Sequence, residues 1–64
     1  MKKLIETFDI KGSHFEVYGI YEEGRSFFPV EYEVKIQDKD GTVYIKRFKT
    51  DFETMEFLKS LFLS

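Results

Sequence analysis

Thr50-Asp51-Phe52-Glu53-Thr54-Met55-Glu56-Phe57-Leu58-Lys59-Ser60-Leu61-Phe62-Leu63 decides how the rest of the chain is read, because it alone carries a helix signature. Thr50, three residues before Glu53, makes a capping box, and Asp51 adds negative charge near the positive end of the helix. At 100° per residue the apolar positions Phe52, Met55, Phe57, Leu58, Leu61, Phe62 and Leu63 spread over roughly 240° of the circumference. A one-sided lid needs only about 100°. The helix is therefore greasier than covering one sheet requires.

Working outward, Val30 to Gln37 is the cleanest strand. Val30, Tyr32, Val34 and Ile36 share one face and Glu31, Glu33, Lys35 and Gln37 the other. Asp38-Lys39-Asp40-Gly41 signals a turn, and Thr42 to Lys49 returns. With all four turn residues in the loop, Ile36 opposes Val43, Val34 opposes Ile45, and Glu33 meets Lys46 on the outer face. This register turns Arg47 inward and Tyr44 and Phe48 outward. A two-residue Asp40-Gly41 turn is the rival.

Upstream, Leu4 to Ile10 alternates, and Lys11-Gly12-Ser13-His14 reads as a tight hairpin with Gly12 first in the turn. Ile10 then opposes Phe15, Phe8 opposes Val17, Glu6 opposes Gly19 and Leu4 opposes Tyr21. Only Glu6 against Gly19 is awkward, and a bulge or bend at Gly19 would relieve it. Between the hairpins, Glu22 to Pro29 is the longest loop and carries two adjacent rings, Phe27 and Phe28. One of them can plug the open end of the sheet, but hiding both is harder.

The expected fold is α+β: a four-stranded antiparallel meander in the order β-β-β-β-α, with the C-terminal helix on one face. Sixty-four residues make one domain, residues 1–64. Four strands at about 4.8 Å spacing make a sheet nearly 20 Å wide, and a helix is only about 10–12 Å across. One helix leaves part of one face and all of the other uncovered. The outer face would carry Ile5, Tyr18, Ile20, Tyr44 and Phe48. Eight Phe and four Tyr, with no Ala and no Trp, also exceed what so small an interior can hold.

Chemistry-bearing constellations are absent from the pattern. His14 is the only histidine, with no nucleophile and third orienting group arranged around it. There is no cysteine for a thiol nucleophile, a disulfide or a thiolate metal site. The Asp38–Gly41 turn lacks the ligand spacing and closing Glu of a calcium loop. Glu31 and Glu33 lie about 7 Å apart on one strand face, as some catalytic carboxylates do. Lys35 and Lys46 flank them, however, which makes a solvated charge ladder. The four glycines are isolated, so no phosphate loop occurs. We therefore expect no enzyme, and nominate no catalytic, cofactor or metal residue.

Ten basic and twelve acidic residues give a net charge of −2, which does not advertise a polyanion partner. The N-terminal residues turn acidic too quickly for a signal peptide, and no apolar run reaches membrane-spanning length; the expected compartment is the cytoplasm. The functional expectation is a non-catalytic protein-interaction module, a homodimer that can also dock another protein. It would act as an accessory factor or inhibitor, of the kind phages and other mobile elements carry. Its contact residues would be Tyr18, Phe27, Phe28, Tyr44, Phe57 and Phe62. The alternative is a single-stranded nucleic-acid-binding sheet using Lys35, Tyr44, Lys46, Phe48 and Lys49, which the outward register places in one region. In topology alone, the element order resembles the small coactivator-type domains that bind single-stranded DNA as dimers; no motif accompanies that resemblance. Glu16, Glu31 and Glu33 on the same face count against it.

Overall fold

The computed structural model describes residues 1–24 and 27–63. Arg25 and Ser26, inside the expected 22–29 loop, and Ser64 lie outside the described residues. Strands β1 (Lys2–Ile10), β2 (Ser13–Ile20), β3 (Glu31–Gln37) and β4 (Val43–Phe48) form one antiparallel sheet in the order β1-β2-β3-β4, and helix α1 (Asp51–Leu63) packs against it. The α+β meander closed by a helix is the fold the patterning predicts.

The helix begins as its sequence dictates. Thr50 Oγ1 accepts the Glu53 N–H at 3.1 Å and donates to Glu53 Oε1 at 3.1 Å, so cap and third residue satisfy each other. Thr54 is buried, and its hydroxyl donates to the Thr50 carbonyl at 2.9 Å. The side facing the sheet carries Leu58, with Phe57 and Leu61 packed at its flanks. Phe15, Val17, Val34 and Leu58 are the buried apolar centre among the described residues. Phe8 stacks on Phe15 at 5.1 Å between ring centroids and extends that centre toward the β1 edge.

The first hairpin departs from the expected register by two residues. Lys11 and Gly12 both have positive φ, 50° and 86°, which is the primed turn with glycine second rather than first. Ile10 therefore opposes Ser13, Phe8 opposes Phe15 and Glu6 opposes Val17. From Glu6 to Ile10 a shift of two preserves every face, so that part of the apolar side survives the correction, whereas the bulge turns Leu4, expected beside Phe8 and Ile10, to the open side opposite Tyr18. The irregularity sits on β1, at Ile5, and not at Gly19. Beyond it Leu4 meets Tyr18 and Lys3 meets Gly19, replacing the expected Leu4–Tyr21 and Glu6–Gly19 pairs.

The bulge lays Ile5 over Gly19. A Cβ on Gly19 would meet Ile5 Cδ1 at 2.9 Å, Pro29 Cγ at 3.0 Å and Tyr21 Cε1 at 3.1 Å. Three side chains thus converge on a position that only glycine leaves open. Gly19→Ala should cost about 1 kcal/mol, since Ile5 Cδ1 is the free end of a half-exposed side chain and swings aside while Pro29 and Tyr21 must each give by a few tenths of an ångström. Denaturant unfolding with an unchanged m-value and a lower midpoint is the expected result.

The second hairpin departs by one residue, and that changes the molecule. The Asp38 N–H donates to the Thr42 carbonyl at 2.9 Å, and the Gly41 N–H to the Asp38 carbonyl at 3.0 Å, with Gly41 at φ 91°. This is a three-residue loop, a type I turn followed by a left-handed glycine. Four-residue and two-residue loops have the same parity; three residues have the other. Ile36 opposes Tyr44, Val34 opposes Lys46 and Glu33 opposes Arg47, not Lys46. Tyr44, Lys46 and Phe48 consequently share the helix side, and Val43, Ile45 and Arg47 the open side, the reverse of the expected arrangement.

The chain exposes 4897 Å², where a compact monomer of 7.7 kDa exposes about 4,300 Å². Its radius of gyration is 12.3 Å, against about 10.7 Å for a compact chain of this length. The excess has a plain cause: α1 packs over β3 and β4 and leaves the β1 half of the same face beside it as a groove.

Candidate interaction surface

The two faces of the sheet solve the covering problem differently. On the open face the two corrected hairpins assemble a polar belt. Glu33, 3% exposed, receives Lys2 Nζ at 3.0 Å on one oxygen, and Arg47 Nε at 3.2 Å and Nη2 at 3.0 Å on the other. Arg47 Nη1 also lies 3.8 Å from Glu31. Lys2 comes from β1 and Arg47 from β4, so a carboxylate on an inner strand ties the two outer strands together across the sheet. Lys2 Nζ sits 4.6 Å above the Tyr18 ring, which helps roof the carboxylate. The Lys2 hydrogen bond, followed by that of Arg47, holds the Glu33 carboxyl below its ordinary range against the opposing effect of burial.

The belt continues along β2. The Tyr18 hydroxyl donates to Glu16 Oε1 at 2.7 Å, Lys35 Nζ lies 3.9 Å from the same oxygen, and His14 Nε2 lies 3.6 Å from the other. Asp9 Oδ1 is 2.9 Å from His14 Nδ1. The Asp9 contact foremost raises the His14 pKa, the Tyr18 hydroxyl foremost lowers that of Glu16, and the Glu16 acceptor raises that of Tyr18. His14 is thus engaged by carboxylates on both ring nitrogens.

In the β3–β4 loop, Asp38 Oδ1 accepts the Asp40 N–H at 3.3 Å and Asp40 Oδ1 accepts the Thr42 N–H at 3.0 Å. The Thr42 backbone contact lowers the Asp40 pKa. These carboxylates hold the turn. Among the described residues no three His, Cys, Asp or Glu side chains cluster as metal ligands would.

On the helix side the covering is incomplete. Phe52 is 69% exposed and Phe62 62% exposed, and Met55 and Leu63 are exposed beside them. At 100° per residue, Phe52, Met55, Lys59, Phe62 and Leu63 fall within about 100° of one another, in a stripe centred about 90° round the helix from the buried Leu58, with Met55 and Phe62 nearest to it on the groove side. Next to this stripe a groove opens toward β1, lined by Glu6, Phe8, Met55, Leu58, Lys59 and Phe62. Phe62 marks its wall by stacking on Phe8 at 5.8 Å.

The six expected contact residues are not brought together. Tyr18 belongs to the open-face belt. Phe57 is half-buried against its own sheet, its ring 5.2 Å from that of Phe48. Tyr44 is exposed on the helix side of β4, the far edge from the groove. Phe27 and Phe28 are 91% and 81% exposed beside Pro29 and Val30, so neither ring plugs the sheet. Only Phe62 lies on the helix stripe. Phe52, absent from the expectation, was recognisable in its spacing, on the far side of the helix from Leu61; Met55, also absent, stands one turn before Leu58 at the rim of the groove and is exposed there.

The five nucleic-acid candidates are divided as well. Lys35 stands on the open face beside Glu16, whereas Tyr44, Lys46 and Phe48 stand on the helix side, with Lys46 Nζ 5.8 Å from the Phe57 ring. Lys49 lies past the end of β4. Rings and cations thus do not form the one continuous platform on which a strand would stack. Among the described residues no helix is long and apolar enough to cross a membrane. No family model matches the chain, and no curated protein or solved structure is significantly similar to it.

Proposed function

We propose that this protein is a non-catalytic interaction module of the cytoplasm that works as a homodimer, its helix stripe and the adjoining groove covered by a second copy. One observation carries the reading: α1 hides one apolar side on its own sheet and presents another, Phe52, Met55, Phe62 and Leu63, to solvent. Together these four expose about 500 Å², and the groove adds the flank of Phe8. A standard interface covers about 600–1,000 Å² on each partner, so stripe and groove together suffice for a modest one. On the open face the charges are paired across the strands, and the apolar residues exposed there, Leu4 on β1 and Val43 and Ile45 on β4, stand on opposite edges without forming one stripe.

The partner is a second copy because the stripe and the groove adjoin. The helix axis lies over β3 and β4, and the groove beside it, with Phe8 and Phe62 in its lining, gives the flank of a second helix a ledge to rest against. In a two-fold arrangement each subunit supplies that helix to the other. As an accessory factor or inhibitor, such a dimer acts by presenting surface, not by turning over a substrate. Phe52→Asp and Phe62→Asp should each weaken self-association at least tenfold while leaving the far-ultraviolet circular dichroism of the monomer unchanged. Sedimentation velocity across a concentration series checks this, and undiminished association in both variants would refute the reading.

A further inference from the structure

The spacing of the exposed stripe specifies how the two copies meet. Phe52, Met55, Lys59 and Phe62 follow one another at intervals of three, four and three residues, the seam of a two-helix coiled coil. Those intervals read the same in both directions. Building on the self-association proposed above, we infer that the two α1 helices pair antiparallel about a two-fold axis between Met55 and Lys59. Phe52 of each copy then meets the partner subunit's Phe62, and Met55 meets the partner subunit's Lys59.

Charge decides against the parallel alternative. Parallel pairing in register sets the two Lys59 ammonium groups directly opposite each other at the centre of an apolar seam, where like charges are penalised. Antiparallel pairing offsets them by four residues, about 6 Å along the axis. It lays each Lys59 stem against a flexible Met55 thioether. The Lys59 head keeps its own Glu56 at 3.7 Å and has Glu6 on the groove wall. A single polar residue in such a seam fixes register at some expense of affinity. Glu6 explains why β1 puts a carboxylate on the helix side, where the apolar alternation of Phe8 and Ile10 would otherwise continue.

The chain has no cysteine, so single-cysteine variants report the register directly. Met55→Cys and Lys59→Cys chains, mixed and oxidised, should yield chiefly the mixed cross-link, at least fivefold over either homo-adduct and distinguishable by intact mass. Disulfides demand Cα atoms within about 7 Å, which only the opposed pair meets. A second pair guards against loss of affinity: Phe52→Glu and Phe62→Lys chains should each be monomeric alone and associate when mixed. Homo-adducts in excess, or no rescue on mixing, with the wild-type dimer intact by sedimentation, would overturn the antiparallel seam and leave self-association standing. A monomeric wild-type chain would overturn both.

Discussion

Replacing Phe15 by alanine is expected to cost about 3–5 kcal/mol, the usual toll for deleting a buried aromatic ring. For a domain this small that is most of the stability available. Phe15 is 4% exposed and stacks on Phe8, which in turn stacks on Phe62 of the helix. One deletion therefore loosens the sheet centre, the β1 edge and the last turn of α1 together. The cavity is not readily refilled from within, since its buried apolar neighbours Val17, Val34 and Leu58 are already engaged with one another in the core. Thermal unfolding followed by circular dichroism should show a chain largely unfolded at room temperature. A midpoint within a few degrees of wild type would mean that the ring lies outside the cooperative core.

Glu33→Ala should lower stability by about 2 kcal/mol, the largest effect expected from any polar position. The carboxylate accepts three charge-assisted hydrogen bonds from two strands that do not touch each other. Its partners Lys2 and Arg47 are about half exposed and can turn to water after the loss, which keeps the cost below that of stranding a fully buried ion. The pH dependence follows from sign. The folded Glu33 pKa lies below its unfolded value, so its contribution is fully present above the unfolded carboxylate range, near 4.5. It fades as pH falls through the folded value. His14 has the opposite sign: its folded pKa is raised, so its contribution is present below about 6.5 and lost as pH rises through the folded value. Denaturant midpoints measured from pH 7 down to pH 3 should fall for wild type and fall less for Glu33→Gln; parallel curves would assign the acid sensitivity elsewhere.

Most of the architecture was legible in the residues. Capping at Thr50 and Glu53, alternation over Val30–Gln37 and glycine-bearing turns located the helix and all four strands. Loop parity was not legible. Asp38-Lys39-Asp40-Gly41-Thr42 accommodates loops of two, three or four residues, and the odd number follows only from Gly41 taking a left-handed conformation one place after a type I turn. That single choice sent Arg47 to Glu33 and Tyr44 to the helix side. The first hairpin was forgiving from Glu6 to Ile10, because an error of two residues leaves each side chain there on its face; only Leu4, beyond the bulge, changed sides. The bulge at Ile5 was hidden for another reason: what favours it is Gly19, a partner across the strand, and not any residue near it in the chain. Excess apolar character on α1 was evident from the sequence. Which rings it concerned depended on where the helix axis lay over the sheet, and that turned the interest from Phe57 to Phe52 and Met55.

Sedimentation equilibrium of the wild-type chain, from a few micromolar to a few hundred micromolar, tests the central claim most directly. Two copies sharing their helices predict a mass rising to twice 7.7 kDa across that range. A constant mass of one chain at every concentration would contradict the account.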